Sequence, residues 1–250
     1  MNLKLEVIGF TLQGCVSAEN AGASRIELCD NPGEGGTTPS YGFIKAAREK
    51  LSIELYPIIR PRGGDFFYNT DEFEIMKSDI SICKELGCDG VVTGILNADG
   101  TIDKKRNREL VELAYPMGVT FHRAFDRVCD ATIALEDIIE TGFERILSSG
   151  LLPNAANGAP TIAALIKQAN GRIIIMPGSG VRSDNIIQIA KETGATEFHS
   201  SARNFVKSKM EYTNAAMYEN LQSVAIDEVE LNKMIEALRM YANESTVADS

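Results

Sequence analysis

Six short stretches of the chain repeat one design: a glycine, up to two linking residues, then about five residues rich in Val, Ile, Leu or Phe. They read AGASRIELC (21–29), LGCDGVVTG (86–94), MGVTFHRAF (117–125), TGFERILSS (141–149), NGRIIIMPG (170–178) and TGATEFHSS (193–201). A helical pattern precedes most of them. Phe73, Met76, Ile80 and Cys83 share one helical face, as do Leu231, Met234, Ile235, Leu238 and Tyr241. A helix often ends on a left-handed residue, and glycine adopts that conformation without a Cβ clash. The repeat therefore reads as helix end, turn and buried strand.

Two further apolar runs, LKLEVIG (3–9) and IELYPIIRP (53–61), lack the glycine and bring the strands to eight. Helices are expected at about 11–21, 39–51, 70–86, 103–115, 130–141, 158–169, 183–193 and 227–242, with Thr70, Asp130 and Ser183 as N-caps. Strict alternation implies a parallel sheet with right-handed crossovers, and eight such units close into a (β/α)8 TIM barrel. An open doubly wound sheet is the rival, but no GxGxxG follows the first strand. No linker or composition break interrupts the pattern. One domain over residues 1–250 is expected, with units at about 3–242 and a C-terminal tail at about 243–250.

In a barrel of this kind, function sits at the C-terminal ends of the strands. Side chains alternate along a strand, so the inward set can be read from parity. Leu5 and Val7 suit the helix-facing side and turn Glu6 inward. Ile26 and Leu28 do the same for Glu27, Val119 and Phe121 for Thr120 and His122, and Phe198 for Glu197 and His199. Arg60 ends the third strand, followed by Arg62. The chain has only two histidines, and both fall inward near a strand's C-terminal end. Burying an unpaired charge costs several kcal/mol, so these groups should pair with one another or with a ligand. His122 is expected beside Glu27, which would raise its pKa above the ordinary value of about 6.5. The set reads either as a polar plug or as a ligand site. Arg123, Asp126 and Arg127 are expected on the rim, and Ser148 and Ser149 at a solvated strand end.

Glycine-rich loops lie at the same end: GEGGTT (33–38), RPRGGDF (60–66) and PGSGVRSDN (177–185). In the last, Gly178, Ser179 and Gly180 offer backbone N–H groups to an anion, at a place where barrels often bind phosphate.

The formal net charge of −10 argues against a nucleic-acid surface, which needs clustered Lys and Arg. No apolar run approaches the ~18 residues of a membrane span. Met1 to Gly14 has no apolar signal core, so export is not expected. The five cysteines are scattered and form no CxxC, as suits free thiols in a reduced cytoplasm.

RPRGGDFFY (60–68), FHRAFD (121–126), ERILSSG (144–150) and EFHSSAR (197–203), with IELCDN (26–31) and GGTTPS (35–40), together resemble the CutC family. These are barrel proteins labelled as copper homeostasis proteins, distinct from the similarly named choline lyase. The resemblance runs from about residue 3 to about 240. It implies a (β/α)8 barrel, a cytoplasmic role in copper homeostasis through copper(I) binding, and a homodimer. Cu(I) prefers thiolate, thioether and imidazole ligands. Cys29, beside Glu27, with Cys15 at the start of the first helix, is the soft metal candidate. Cys83 and Cys88 fall at the opposite end as small buried hydrophobes. The Glu and His set suits a harder ion, such as zinc or manganese, better than Cu(I).

A second function of another class stands beside copper handling: an enzyme acting on a small phosphate- or carboxylate-bearing metabolite. Arg60 and Arg62 would hold the anion. Glu27 and His122 would act as general acid and base, with Glu6 and His199 in support.

Overall fold

The computed structural model of the protein describes residues 3–248. Strands and helices alternate as the repeats require. The strands are β1 (Lys4–Gly9), β2 (Arg25–Leu28), β3 (Glu54–Pro57), β4 (Gly90–Thr93), β5 (Gly118–Phe121), β6 (Arg145–Ser148), β7 (Ile174–Pro177) and β8 (Glu197–Ser200). Between them run α1 (Leu12–Ala21), α2 (Tyr41–Lys50), α3 (Thr70–Glu85), α4 (Lys104–Ala114), α5 (Ala131–Thr141), α6 (Ala159–Ala169) and α7 (Ile186–Thr193). The eight strands form parallel ladders in the orders β3-β2-β1-β8 and β4-β5-β6-β7. An Ile58–Val92 bridge joins β3 to β4. β7 and β8 lie side by side, with no ladder between them among the described residues. The architecture is a (β/α)8 barrel.

Gly22 and Gly142 end α1 and α5 with φ of 103° and 93°, and each donates its backbone N–H back into the helix it ends. A side chain at these angles is strained, which is why the repeat carries glycine there. Between strands and helices lies one continuous apolar layer. Val7, Ile26, Leu55, Val91, Phe121, Ile146 and Phe198 pack there with Ile80, Leu110, Ile138 and Leu231. Each such fully buried side chain contributes ~1.5–3 kcal/mol. A smaller cluster of Ile8, Cys29, Tyr56, Ile58 and Val92 has the opposite parity and fills the barrel interior.

Of the three expected caps, Asp130 alone acts as one, accepting from the Thr132 and Ile133 N–H groups. Thr70 is the first residue of α3, and the cap is Asn69. Its side chain accepts from the Glu72 N–H, while the Glu72 carboxylate accepts from the Asn69 N–H at 2.8 Å. Ser183 does not cap α7, which begins behind Asn185. Its N–H and Oγ both donate to Glu230, each at 2.8 Å, and tie the loop to the last helix.

The chain adds an antiparallel hairpin, β9 (Arg203–Val206) with β10 (Ser223–Ile226), that the repeat does not announce. All four residues of β9 are exposed, so no apolar alternation marks it. The last helix, α8 (Glu228–Ala248), carries the expected core face of Leu231, Met234, Ile235 and Leu238. It continues through the span expected as a tail as far as Ala248, while residues 249–250 lie outside the described residues.

Candidate functional site

Strand parity places the inward groups as expected at Glu6, Glu27, Thr120, His122, Glu197 and His199, all buried. The same parity brings in two arginines that the sequence reading passed over. Arg25 lies two residues before Glu27, and Arg145 begins β6. Their side chains are only 2 % and 5 % exposed. Arg25 reaches Glu54 at 2.8 Å, Glu197 at 3.1 Å and Glu6 at 3.2 Å. Arg145 reaches Glu197 at 2.6 Å and Glu144 at 2.8 Å, and donates to the Thr120 hydroxyl. Tyr56 closes this layer, its hydroxyl donating to Glu144 and its ring under Arg25. The lower barrel is therefore a paired ionic plug.

Above the plug stands a second set. His199 Nδ1 lies 2.8 Å from Glu6 Oε1, and its Nε2 lies 3.7 Å from Glu27. Burial pushes the His199 pKa down, but the hydrogen bond to Glu6 and the charges of Glu27 and Glu6 outweigh it, and the net shift is upward. Burial pushes Glu6 up, yet the hydrogen bond and charge of His199, with Arg25 and Arg145, bring it down to about 2. Among the described residues Glu27 has no arginine partner. Burial, opposed by His199 and reinforced by the Glu6 charge, lifts it to about 7.

The expected coupling of His122 to Glu27 is not formed; the imidazole beside the carboxylates is His199. His122 Nδ1 accepts the Ala124 N–H at 3.3 Å, and its Nε2 is buried without a hydrogen-bond partner. Burial first, then the Arg60 charge, lowers its pKa to about 3 rather than raising it. It is the neutral imidazole of the pair, packed against the tilted Phe66 ring with centroids 4.6 Å apart.

The basic residues also rearrange. Arg60 is buried, but its guanidinium donates to the Glu34, Gly36 and Gly64 carbonyls and stacks on Phe66. Its Nε alone is without a partner. Arg62 pairs with Glu72 and Asp65 at the side of the barrel, so it braces a loop instead of entering the cavity. Arg123, expected on the rim, lines the cavity and donates to Asp126 and Ser149. The two serines and the side chain of Asp126 are buried: the carboxylate accepts from both hydroxyls and from the Ser149 and Leu151 N–H groups. Gly178 donates its N–H to Ser148, and a Cβ there would collide with Leu147 and press on His199. Its glycine thus serves packing at the β7–β8 junction. Ser179 and Gly180, both with φ of 74°, line the open side of the mouth.

Cys29 lies inside the barrel against Gly36, its thiol pushed well up by burial and then by Glu27 and Glu6. Cys15 belongs to the outer apolar layer, and burial lifts it to about 12. Both are neutral thiols, not the thiolates that Cu(I) favours. Among the described residues, the one cluster of metal-ligating atoms within 4.8 Å of one another is Glu6, Glu27 and His199, all buried. It contains no thiol.

Fold and mouth together define a (β/α)8 barrel protein with a candidate polar site at the C-terminal ends of its strands. The chain belongs to the CutC family, whose model matches residues 3–204. A CutC family protein of Chromobacterium violaceum is 52 % identical over 212 residues, covering 85 % of this chain and 86 % of that protein. The human protein named copper homeostasis protein cutC homolog is 46 % identical over 213 residues, covering 85 % and 78 %. A crystal structure of a CutC copper homeostasis protein from Streptococcus agalactiae superposes with a TM-score of 0.76 at 37 % identity, covering 80 % of this chain and 98 % of that one. A structure described as native KDPGal, 14 % identical with a TM-score of 0.57, shares the fold alone.

Proposed function

We propose that the protein serves copper homeostasis, the role in the names of its curated relatives, and that it does so at the barrel mouth. The convergence of Glu6, Glu27 and His199 within 4.8 Å carries this reading. Two carboxylates and one imidazole suit a divalent ion, and Cu²⁺ is the tightest binder of the first-row divalent series at such ligands. Cu(I) finds less here, because the cluster contains neither thiol nor thioether. Scattered free cysteines, four of the five buried, support a reducing compartment, and we place the protein in the cytoplasm. None of its described helices is long and apolar enough to cross a membrane. Calorimetric titration of metal-free protein with Cu²⁺ and Zn²⁺ tests the site. Glu27→Gln and His199→Gln should each weaken Cu²⁺ binding at least tenfold, while Cys29→Ser leaves it unchanged. Equal binding in wild type and both mouth variants would remove the reading.

One observation favours a second reading. Glu27, titrating at about 7 beside a raised His199 and the cationic Arg123, is poised for acid–base chemistry on a small anion. In this reading, affinity of the mouth for the anion survives treatment with a chelator. In the metal reading, the Cu²⁺ signal requires Glu27 and His199.

A further inference from the structure

The mouth is two connected rooms. The inner, of about 80 Å³, is lined by Glu27, Arg60, Phe66 and His122. The outer, of about 290 Å³, is lined by Arg182, Arg203 and the Ser179–Gly180 turn. Ile8, Gly35, Arg123 and His199 line both. We propose that the outer room binds the phosphate of a small phosphate monoester, whose organic end reaches His122 and His199 in the inner room. The proposal rests on the acid–base reading for what happens at the organic end, but the phosphate site stands on its own geometry.

Three arginines from different parts of the chain line this room: Arg123 after β5, Arg182 after β7 and Arg203 at the start of β9. Neither Arg182 nor Arg203 forms an ion pair among the described residues. Their longest-reaching bonds are weak, 3.4 Å to the Arg203 carbonyl and 3.5 Å to the Pro32 carbonyl. Arg123 has one carboxylate partner, Asp126, which is already saturated by serine hydroxyls and backbone N–H groups. In a chain of net charge −10, three arginines around one cavity make a positive focus that attracts a dianion. Guanidinium forks match phosphate oxygens in pairs.

The turn after β7 adds neutral donors. The N–H groups of Ser179, Gly180 and Val181 donate to no protein group among the described residues. Ser179 is held in its left-handed conformation by its hydroxyl on the Pro153 carbonyl and by the Ala155 N–H on its own carbonyl. Successive N–H groups in such a turn form an anion-binding concavity. A second observation points to a ligand in the adjoining room. His122 Nε2 is a buried donor with no protein partner among the described residues, in a cavity whose apolar wall is Ile8, Ile58, Phe66 and Leu147. Leaving such a group unpaired is costly, and a hydroxyl or carbonyl oxygen of the ligand would satisfy it.

Titration calorimetry of the full chain with glycerol phosphate and with inorganic phosphate tests this. Arg182→Ala and Arg203→Ala, whose side chains carry no structural ion pair, should each weaken binding about tenfold, and the double variant should abolish it. Arg62→Ala, at the side of the barrel, should bind as wild type. The His122 and His199 ring signals should move when glycerol phosphate is added. Failure of either phosphate compound to bind, or wild-type affinity in the double variant, overturns the site. Phosphate binding without any histidine response to glycerol phosphate overturns the placement of the organic end. Retained phosphate binding with no turnover of any monoester would tell against the acid–base reading alone.

Discussion

His122 sits under Phe66 with its Nδ1 taken by a backbone N–H and Arg60 close by, so the proton it carries is on Nε2. Its pKa of about 3 lies below the ordinary 6.5. Between those values the unfolded chain binds more protons than the folded one, so stability falls as pH drops from about 6.5 toward 3. Replacing it by Gln should flatten that part of the profile. Urea unfolding of wild type and His122→Gln at pH 7 and pH 5 measures the difference, and identical pH dependence would show that His122 is not held neutral. Glu27 has the opposite sign. Its pKa is raised from 4.5 to about 7, and its contribution is full below 4.5 and lost as pH rises through 7.

At the scale of elements, the N-terminus of α3 offers a direct check. Asn69→Ala removes one side of a reciprocal capping box and should cost about 1 kcal/mol, while Thr70→Ala should change stability by a few tenths. Thermal unfolding of the two variants would expose a wrong assignment if Thr70→Ala proved the more damaging. Asn69 and Thr70 are both good caps by composition, and only the backbone geometry separates them. The same limit explains what else was legible. Period-two parity named Glu6, Glu27, His122 and His199 as inward groups, because the buried apolar neighbours of each fix the register. It could not say which histidine meets which carboxylate, since strand stagger brings Glu6 level with His199 in the β1–β8 ladder. Arg25 and Arg145 obey the same parity and could have been read. Arg123, Arg182 and Arg203 could not, because they lie outside the eight barrel strands and their positions depend on turns.

For the whole molecule, the ionic plug is the part most sensitive to loss of a single charge. Glu197 accepts from both Arg25 and Arg145, and Arg145 also holds Glu144 and Thr120. Arg145→Ala leaves buried carboxylate oxygens short of a partner and should cost ~3–5 kcal/mol. Equilibrium unfolding reads this directly, and a loss below 1 kcal/mol would mean that water replaces the guanidinium. The backbone ladders of the barrel form two four-stranded arcs, joined by the Ile58–Val92 bridge on one side and, at β7–β8, by side chains without a ladder among the described residues. Glu6, Glu27 and His199 lie on one arc; His122, Arg123 and Arg182 follow strands of the other. A ligand gripped by both sets would be a clasp across that seam. Occupancy of the mouth would then add to the resistance of the molecule to coming apart there, and a cargo would also be a brace.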